Sequence, residues 1–210
     1  MTHTLHRQGT TESLEKDYVV FAMPSSGLNS QGSKPKLEKV FEILKRYNPV
    51  NIGDSKGGSR FSLGSDEAVR EILVENELVH AVYRSREQVM QVLKDLKDED
   101  LGLSVTVSGL MENVHECCHK VGLTPHTIVM SLGIWGRTDL LAEEKIQRVT
   151  TMCGHGLVSY NLVRELAGQV KAGRLTARKA GELLAKPCIC GIFNPERAAE
   201  LIAELDSRTN

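Results

Sequence analysis

The sequence has few aromatic residues, no long apolar run and no excess of charge of one sign. No apolar run approaches the roughly 18 residues that a membrane-spanning helix needs. Aromatic residues make up only 4% of the 210 residues, so we expect a core built mainly of Leu, Val, Ile and Ala. Lys and Arg are scattered and the net charge is -1, which argues against binding to nucleic acid or to a membrane surface.

The sequence also lacks cysteine in its first half. The first of its five cysteines is Cys117, and an odd number that begins so late does not suit a disulfide scaffold. Residues 1–18 lack the apolar middle of a secretion signal. We therefore predict a cytoplasmic protein with reduced thiols. In that compartment clustered cysteines are more often metal ligands or reactive groups.

Hydrophobic spacing predicts an α/β fold class of mixed α+β type, with a sheet core of alternating strands and helices followed by an all-helical C-terminal third. The expected strands are residues 17–26, 77–84, 101–109 and 125–136, with helices over 34–48, 85–100 and 110–123. The Gly- and Ser-rich stretch 51–65 is expected to be a loop. The alternation indicates parallel or mixed strand pairing, with helices covering the sheet.

The pattern divides the chain into two regions. Residues 1–136 are predicted to form the α/β core with an N-terminal arm, in which the roles of His3 and His6 stay open. Residues 137–210 are predicted to form a helical region. That region carries three of the five cysteines.

Those three cysteines have loop contexts typical of metal ligands. Cys153 lies in MCGHGL directly before a predicted helix, and Cys188 and Cys190 lie in KPCICGIFNP between two predicted helices. The flanking glycines let the backbone approach a bulky ligand, and helix N-termini favour thiolate over thiol. The pattern predicts an iron–sulfur cluster, with the 4Fe-4S type favoured.

The fourth ligand of this set is expected from the stretch VHECCHKVG. On a helical wheel Cys118 shares a side with His115 and His119, whereas Cys117 lies at the other edge of the apolar stripe. Cys118 is therefore preferred over Cys117. A mixed zinc site of cysteine and histidine, with His155 as a further imidazole, is the alternative because zinc accepts the same soft ligands.

The same stretch admits two other interpretations. The motif H-E-x-x-H is typical of zinc hydrolases. In that interpretation His115 and His119 would bind zinc and Glu116 would be the general base. This motif needs a third ligand from another segment, for which His126 and His155 are available. Alternatively, the two cysteines are small buried hydrophobic residues and the histidines are solvated.

An adjacent cysteine pair combined with a distant, closely spaced pair resembles the CCG-type cysteine-rich domains of heterodisulfide-reductase-like proteins. Here the adjacent pair is Cys117–Cys118 and the spaced pair is Cys188 and Cys190. The order departs from that family, because the adjacent pair comes first and Cys153 lies between the two pairs. Membership is therefore not assigned.

Two other segments carry candidate substrate contacts. GDSKGGSR (53–60) brings Lys56 and Arg60 to a glycine-rich loop suited to an anion, although most such loops are flexible connections. SLGIWGRTD (131–139) brings Trp135 and Arg137 to the end of a predicted strand, where α/β proteins bind ligands. Packing alone would also explain the tryptophan.

The sequence thus predicts a metal-binding protein, and an iron–sulfur protein of cytoplasmic, anaerobic-type redox metabolism is the first hypothesis. A zinc hydrolase and a zinc-stapled partner module without enzymatic activity are the alternatives, so enzymatic activity stays open. The expected partner is a small-molecule substrate or a redox protein. A homo-oligomer is a further expectation, since Cys117 and Cys118 could pair with a neighbouring subunit.

Overall fold

The computed structural model describes residues 4–206, so His3 lies outside the described residues. Within that range the strands are β1 (Tyr18–Met23), β2 (Asn51–Asp54), β3 (Gly58–Ser59), β4 (Val79–Tyr83) and β5 (Ser104–Ser108). The helices are α1 (Thr11–Leu14), α2 (Lys34–Arg46), α3 (Arg60–Leu63), α4 (Asp66–Glu71), α5 (Arg86–Glu99), α6 (Met111–Lys120), α7 (Glu144–Thr150), α8 (Tyr160–Lys171), α9 (Ala177–Ala185) and α10 (Pro195–Asp206). None of these helices has the length and apolar content of a membrane span.

Helix starts follow from local capping chemistry. At α5 the Ser85 hydroxyl accepts the N–H of Gln88, and the Gln88 side chain accepts the N–H of Ser85. This reciprocal pair satisfies donors that the first turn leaves without partners. Ser159 and Thr176 cap α8 and α9 in the same way with one hydrogen bond each. Helices α8 and α9 therefore begin where the sequence places Ser and Thr before apolar spacing.

The strand order in the sheet is β3-β2-β4-β1-β5, and every neighbouring pair is antiparallel. The prediction of parallel or mixed pairing is therefore wrong, although the mixed α/β class with a helical C-terminal region is confirmed. Helix α2 joins β1 to β2, and β4 lies between them; helix α5 joins β4 to β5, and β1 lies between them. Strands joined by a helix thus run in the same direction without being neighbours. This is the split βαβ, ferredoxin-like strand order, a name that refers to topology alone.

Two predicted segments have a different structure. Residues 125–136 are not a strand but an exposed irregular segment, in which Gly133 and Gly136 adopt φ of +91° and +92° and interrupt an extended backbone. The stretch 51–65 is not one loop, because it contains β2 and β3. Its strand character depends on pairing with β4, a long-range contact that local composition does not reveal.

The sheet is covered on both faces, which gives a three-layer arrangement. Val19, Phe21 and Val82 face the C-terminal helices α7–α10 and share a core with them. Residues of the opposite pleat, such as Val20 and Ala81, pack with α2, α5 and α6. Because the strands alternate between the two faces, the sheet separates two clusters of cysteines.

Candidate metal centre

Three cysteines and one histidine meet on the face of the sheet that the C-terminal helices cover. Cys153 and His155 come from the turn between α7 and α8, and Cys188 and Cys190 come from the turn between α9 and α10. The Sγ atoms of Cys188 and Cys190 are 3.9 Å apart, and Cys190 Sγ is 3.5 Å from Nδ1 of His155. The fourth side chain is Cys153, whose thiol interacts with that of Cys188. The predicted convergence of the two loops is therefore present.

The turn that carries Cys188 and Cys190 rests directly on the β2–β3 hairpin. Gly191 has φ of +76°, and a Cβ atom there would lie 2.5 Å from Cβ of Ser59. On the hairpin side, a Cβ on Gly53 would lie 2.7 Å from the Cys190 carbonyl oxygen. Asn51 continues the contact, because its amide donates to the Phe193 carbonyl at 3.0 Å. Close backbone contact between two glycines thus fixes the position of the cysteine turn.

Burial and hydrogen bonding set the charge of these thiols. Cys153, Cys188 and Cys190 are buried, whereas His155 is exposed. Interactions with the Cys188 thiol and with the backbone N–H groups of Leu157 and His155 stabilise the thiolate of Cys153. The pKa of Cys153 therefore falls to about 6. Interaction with the Cys153 sulfur raises the pKa of Cys188, so Cys188 keeps its proton. The arrangement thus provides a thiolate at neutral pH, the form that binds metals.

The distances from Cys190 Sγ to Cys188 Sγ and to His155 Nδ1 match the distances between two ligands of one tetrahedral ion. With zinc–sulfur bonds of about 2.3 Å, two sulfur ligands of a tetrahedral ion lie about 3.8 Å apart. With a zinc–nitrogen bond of about 2.1 Å, sulfur and nitrogen lie about 3.6 Å apart. The distances of 3.9 and 3.5 Å agree with both values. Within residues 4–206 no three or more His, Cys, Asp or Glu side chains are placed so that they could hold a metal ion as they stand, so metal binding would require the side chains of this group to move.

Cys117 and Cys118 lie on the other face of the sheet. They belong to the core formed with α2 and α5, whereas the other three cysteines belong to the core formed with α7–α10. Burial raises the pKa of both thiols, and Cys117 Sγ donates weakly to the Arg86 carbonyl at 3.7 Å. The structure therefore does not bring the preferred fourth cysteine, Cys118, to the other three. The side chain of His155 lies beside Cys190 instead.

The H-E-x-x-H residues form a charged helix surface. His115 and His119 are exposed on α6. Glu116 forms ion pairs of 2.6 Å with both Arg86 and Lys120, and these cations lower its pKa. A carboxylate stabilised in its charged form is a poor proton acceptor, so this geometry does not favour the hydrolase interpretation.

The predicted substrate contacts are distributed over separate parts of the surface, and their charges are paired. Lys56 pairs with Glu77, and Arg60 donates two hydrogen bonds to Asp66 at 2.6 and 2.9 Å. Arg137 pairs with Asp139 at 2.6 Å. Trp135 is largely exposed. An anion bound by Lys56 and Arg60 would thus have to compete with the carboxylates of Glu77 and Asp66 for these two cations.

One feature that the sequence analysis missed is a groove of about 890 Å³ beside β5. Its walls are β5, the N-terminal arm and residues 123–131, and His115 and Cys118 contribute to it. The available signal was the apolar pattern of residues 125–136. That pattern favours a buried strand, whereas the segment forms a groove wall and an exposed turn.

Cysteine sulfur and imidazole nitrogen are the atom types that zinc and iron accept as ligands. Comparison with protein-family models, curated proteins and solved structures finds no match to this chain. Its function must therefore be inferred from the geometry of its own residues.

Proposed function

We propose that Cys153, Cys188, Cys190 and His155 together bind one tetrahedral metal ion, and that this ion is zinc. The observation that carries the proposal is the pair of distances at Cys190, 3.9 Å to Cys188 Sγ and 3.5 Å to His155 Nδ1. Three thiolates and one imidazole are a donor set of structural zinc sites. The low pKa of Cys153 supports the proposal, because one ligand is already deprotonated at neutral pH.

The role that fits this site is structural. A zinc ion with four protein ligands has no open position for a substrate. It would join the turn before α8 to the turn before α10, and the second turn is already seated on the β2–β3 hairpin. Metal binding would thereby fasten the C-terminal helical layer to the sheet. We propose a zinc-stapled module that acts through a protein or small-molecule partner.

A 4Fe-4S cluster in a redox protein is the second candidate. Three converging cysteines on glycine-containing loops favour it, with His155 as the fourth ligand. In such a cluster each thiolate binds a different iron, so the sulfurs lie farther apart than two ligands of one ion. The separation of 3.9 Å therefore favours the mononuclear site, and a cluster requires the two loops to spread.

The proposed location is the cytoplasm. None of the five cysteines, all within the described residues, forms a disulfide bond. Thiols that serve as metal ligands need a reducing compartment, because oxidation to a disulfide removes the ligand. A zinc-stapled structure would be lost under oxidising conditions.

Metal analysis tests both candidates. The protein is purified without oxygen, and its zinc, iron and sulfide contents and visible spectrum are measured for the wild type and for Cys153→Ala, Cys188→Ala, Cys190→Ala and His155→Ala. We expect a colourless protein with stoichiometric zinc, and loss of zinc in each cysteine variant. Cys118→Ala is the matched control, because it removes a buried cysteine on the opposite face and should leave the zinc content unchanged.

The alternative outcomes separate the candidates. A brown protein with iron, sulfide and broad absorption near roughly 400 nm would replace the zinc proposal by the cluster. A folded protein without metal would reject both. Loss of zinc in His115→Ala with retention in Cys153→Ala would instead move the site to helix α6.

A further inference from the structure

An exposed apolar turn projects from the segment between α6 and α7. Leu132 and Trp135 are 86% and 82% exposed, and Ile134 between them is also exposed. We define residues 131–136 as the apolar tip. Exposed apolar side chains that cluster in this way mark an interaction surface rather than ordinary surface residues.

Two hydrogen bonds connect residues within the apolar tip. The indole N–H of Trp135 donates to the Leu132 carbonyl at 2.9 Å, and the Gly133 N–H donates to Ser131 Oγ at 3.2 Å. Beside the tip, Arg137 is neutralised by Asp139. The tip is thus an internally bonded turn that presents hydrocarbon outward. A nucleic acid or a charged ligand would find no polar contact on these side chains.

The same chain offers a groove that fits such a tip. Strand β5 is the last strand of the sheet and pairs with β1 alone, so no strand within the described residues covers its other edge. The groove beside this edge is lined by apolar side chains that include Leu103, Val105 and Val107. Natural proteins rarely leave a strand edge with its backbone groups open to solvent. This groove is called the β5 groove below.

We infer that two copies of this chain form a symmetric dimer in which the apolar tip of each copy occupies the β5 groove of the other. Each chain carries both the apolar tip and the β5 groove. A two-fold axis therefore places each tip in the groove of the other copy at the same time. Tip side chains Leu132, Ile134 and Trp135 do not line the groove of their own chain, and they remain available to the second copy.

The exposed area agrees with a stable dimer. Six large apolar side chains between residues 128 and 135 are from 47% to 86% exposed. At roughly 200 Å² of surface for each residue, they expose on the order of 800 Å², which is what each partner of a standard stable interface buries. Trp135 belongs to this patch, and tryptophan is among the residue types that most often anchor interfaces.

Two measurements test the dimer on the wild-type chain. Sedimentation velocity across micromolar concentrations should show a monomer–dimer equilibrium. Trp135 is the only tryptophan, so its fluorescence reports directly on the tip. We expect its emission to shift to shorter wavelength as the dimer forms. A monomer at all concentrations with the emission of an exposed indole would overturn the inference, whether the β5 groove then binds a small molecule, a foreign peptide or nothing.

Paired variants test the mode of association. Leu132→Asp should weaken dimerisation at least about tenfold, because a charge would enter an apolar contact. Leu28→Asp is the matched control, since Leu28 is 87% exposed but lies in the loop after β1 and does not line the β5 groove. Equal effects of the two changes, or no effect of Leu132→Asp, would contradict the inference.

A complementation experiment tests whether the contact is reciprocal. Val105→Lys places a charge in the β5 groove and leaves the apolar tip intact. Val105→Lys and Leu132→Asp should each be monomeric alone and should associate when mixed, because the intact tip of one then meets the intact groove of the other. Failure of the mixture to associate would rule out the tip-in-groove arrangement.

Discussion

The guanidinium of Arg197 donates to the carboxylate of Asp17 at 2.8 Å, and both side chains are completely buried. Further donors complete the site: Asn194 donates to the same carboxylate at 3.1 Å, and Arg7 forms an ion pair with it. Arg197 also donates to Ser13 Oγ at 2.9 Å. This network connects the N-terminal arm to helix α10. Charges inside the protein therefore hold the segment that contains Asp17 against helix α10.

Breaking this buried pair should cost far more stability than breaking an exposed one. Asp17→Ala leaves the buried guanidinium of Arg197 without its counter-charge, so we expect a loss of about 3–5 kcal/mol in the free energy of unfolding. Lys16→Ala is the control, because it removes the neighbouring exposed pair with Glu200 and should cost less than about 1 kcal/mol. Urea denaturation measures both values. Similar losses in the two variants would contradict the role of burial.

A glycine comparison tests the packing of the C-terminal helices. A Cβ atom on Gly181 in α9 would lie 2.1 Å from the Pro195 carbonyl oxygen at the start of α10. Gly181→Ala should therefore destabilise the protein by about 1–3 kcal/mol, because the backbone of α10 must move.

Gly168→Ala in α8 provides the matched control for that change. A Cβ atom there has no atom within 4 Å, so only the helix propensity changes. We expect a gain of up to about 1 kcal/mol. Thermal unfolding of the two variants should therefore shift in opposite directions, and a gain in stability for Gly181→Ala would mean that α9 and α10 are not in close contact.

The proximity of Cys153, Cys188 and Cys190 could be predicted from local sequence, whereas the position of Cys118 could not. Cys153, Cys188 and Cys190 could be grouped because glycines and helix starts flank them, and these are local signals. The position of Cys118 depended on which face of the sheet α6 covers. A helical wheel gives the buried side of a helix but not the layer that it packs against. His155 was among the candidates, but only its distance to Cys190 distinguishes it from His115 and His119.

The errors in the sheet have a related cause. Strand–helix alternation correctly predicted β1, β4 and β5, but it contains no information on which strands become neighbours, so the antiparallel order was missed. Residues 125–136 have the apolar content of a buried strand and remain exposed in a single chain. An apolar pattern predicts that a segment is buried. Contact with a second copy would bury the side chains that a single chain leaves exposed.

A change at Gly191 should weaken metal binding without removing a ligand. Gly191→Ala introduces a Cβ atom 2.5 Å from Ser59 Cβ and would lift the cysteine turn off the hairpin. Because the hairpin fixes the turn that holds Cys188 and Cys190, we expect zinc affinity to fall about 10- to 100-fold. Competition with a chromogenic zinc chelator measures this affinity.

Gly156→Ala is the matched control for that experiment. Gly156 lies in the other ligand loop with φ of +69°, close to the +76° of Gly191, but a Cβ atom there meets nothing within 4 Å. Both variants carry the same backbone strain, and only Gly191→Ala adds the collision. Equal affinities in the two variants would show that contact with β3 does not position the ligands.

Asp54 provides a prediction on pH dependence. Burial raises the pKa of its carboxyl from 3.8, and within the described residues its Oδ2 atom has no hydrogen-bond partner. An acid whose pKa is raised on folding costs stability once it ionises, and the cost grows as pH rises from the unfolded pKa through the folded pKa. Asp54→Asn should therefore raise the melting temperature at pH 7, and the gain should vanish below about pH 3.8, where both states of the wild type are protonated.

The geometry of Asp54 makes the substitution to asparagine a mild one. Oδ1 accepts the N–H groups of Lys56 and Gly57 at 2.9 and 2.7 Å, and an asparagine oxygen can keep both bonds. The new amide nitrogen is buried, but a neutral group costs less to bury than a charge. Asp139→Asn is the control, since Asp139 is exposed and Arg137 lowers the pKa of its carboxyl, so its ionisation carries no burial cost. That variant should show no gain at pH 7, and a lower melting temperature for Asp54→Asn at that pH would mean that ionised Asp54 has a stabilising partner in solution.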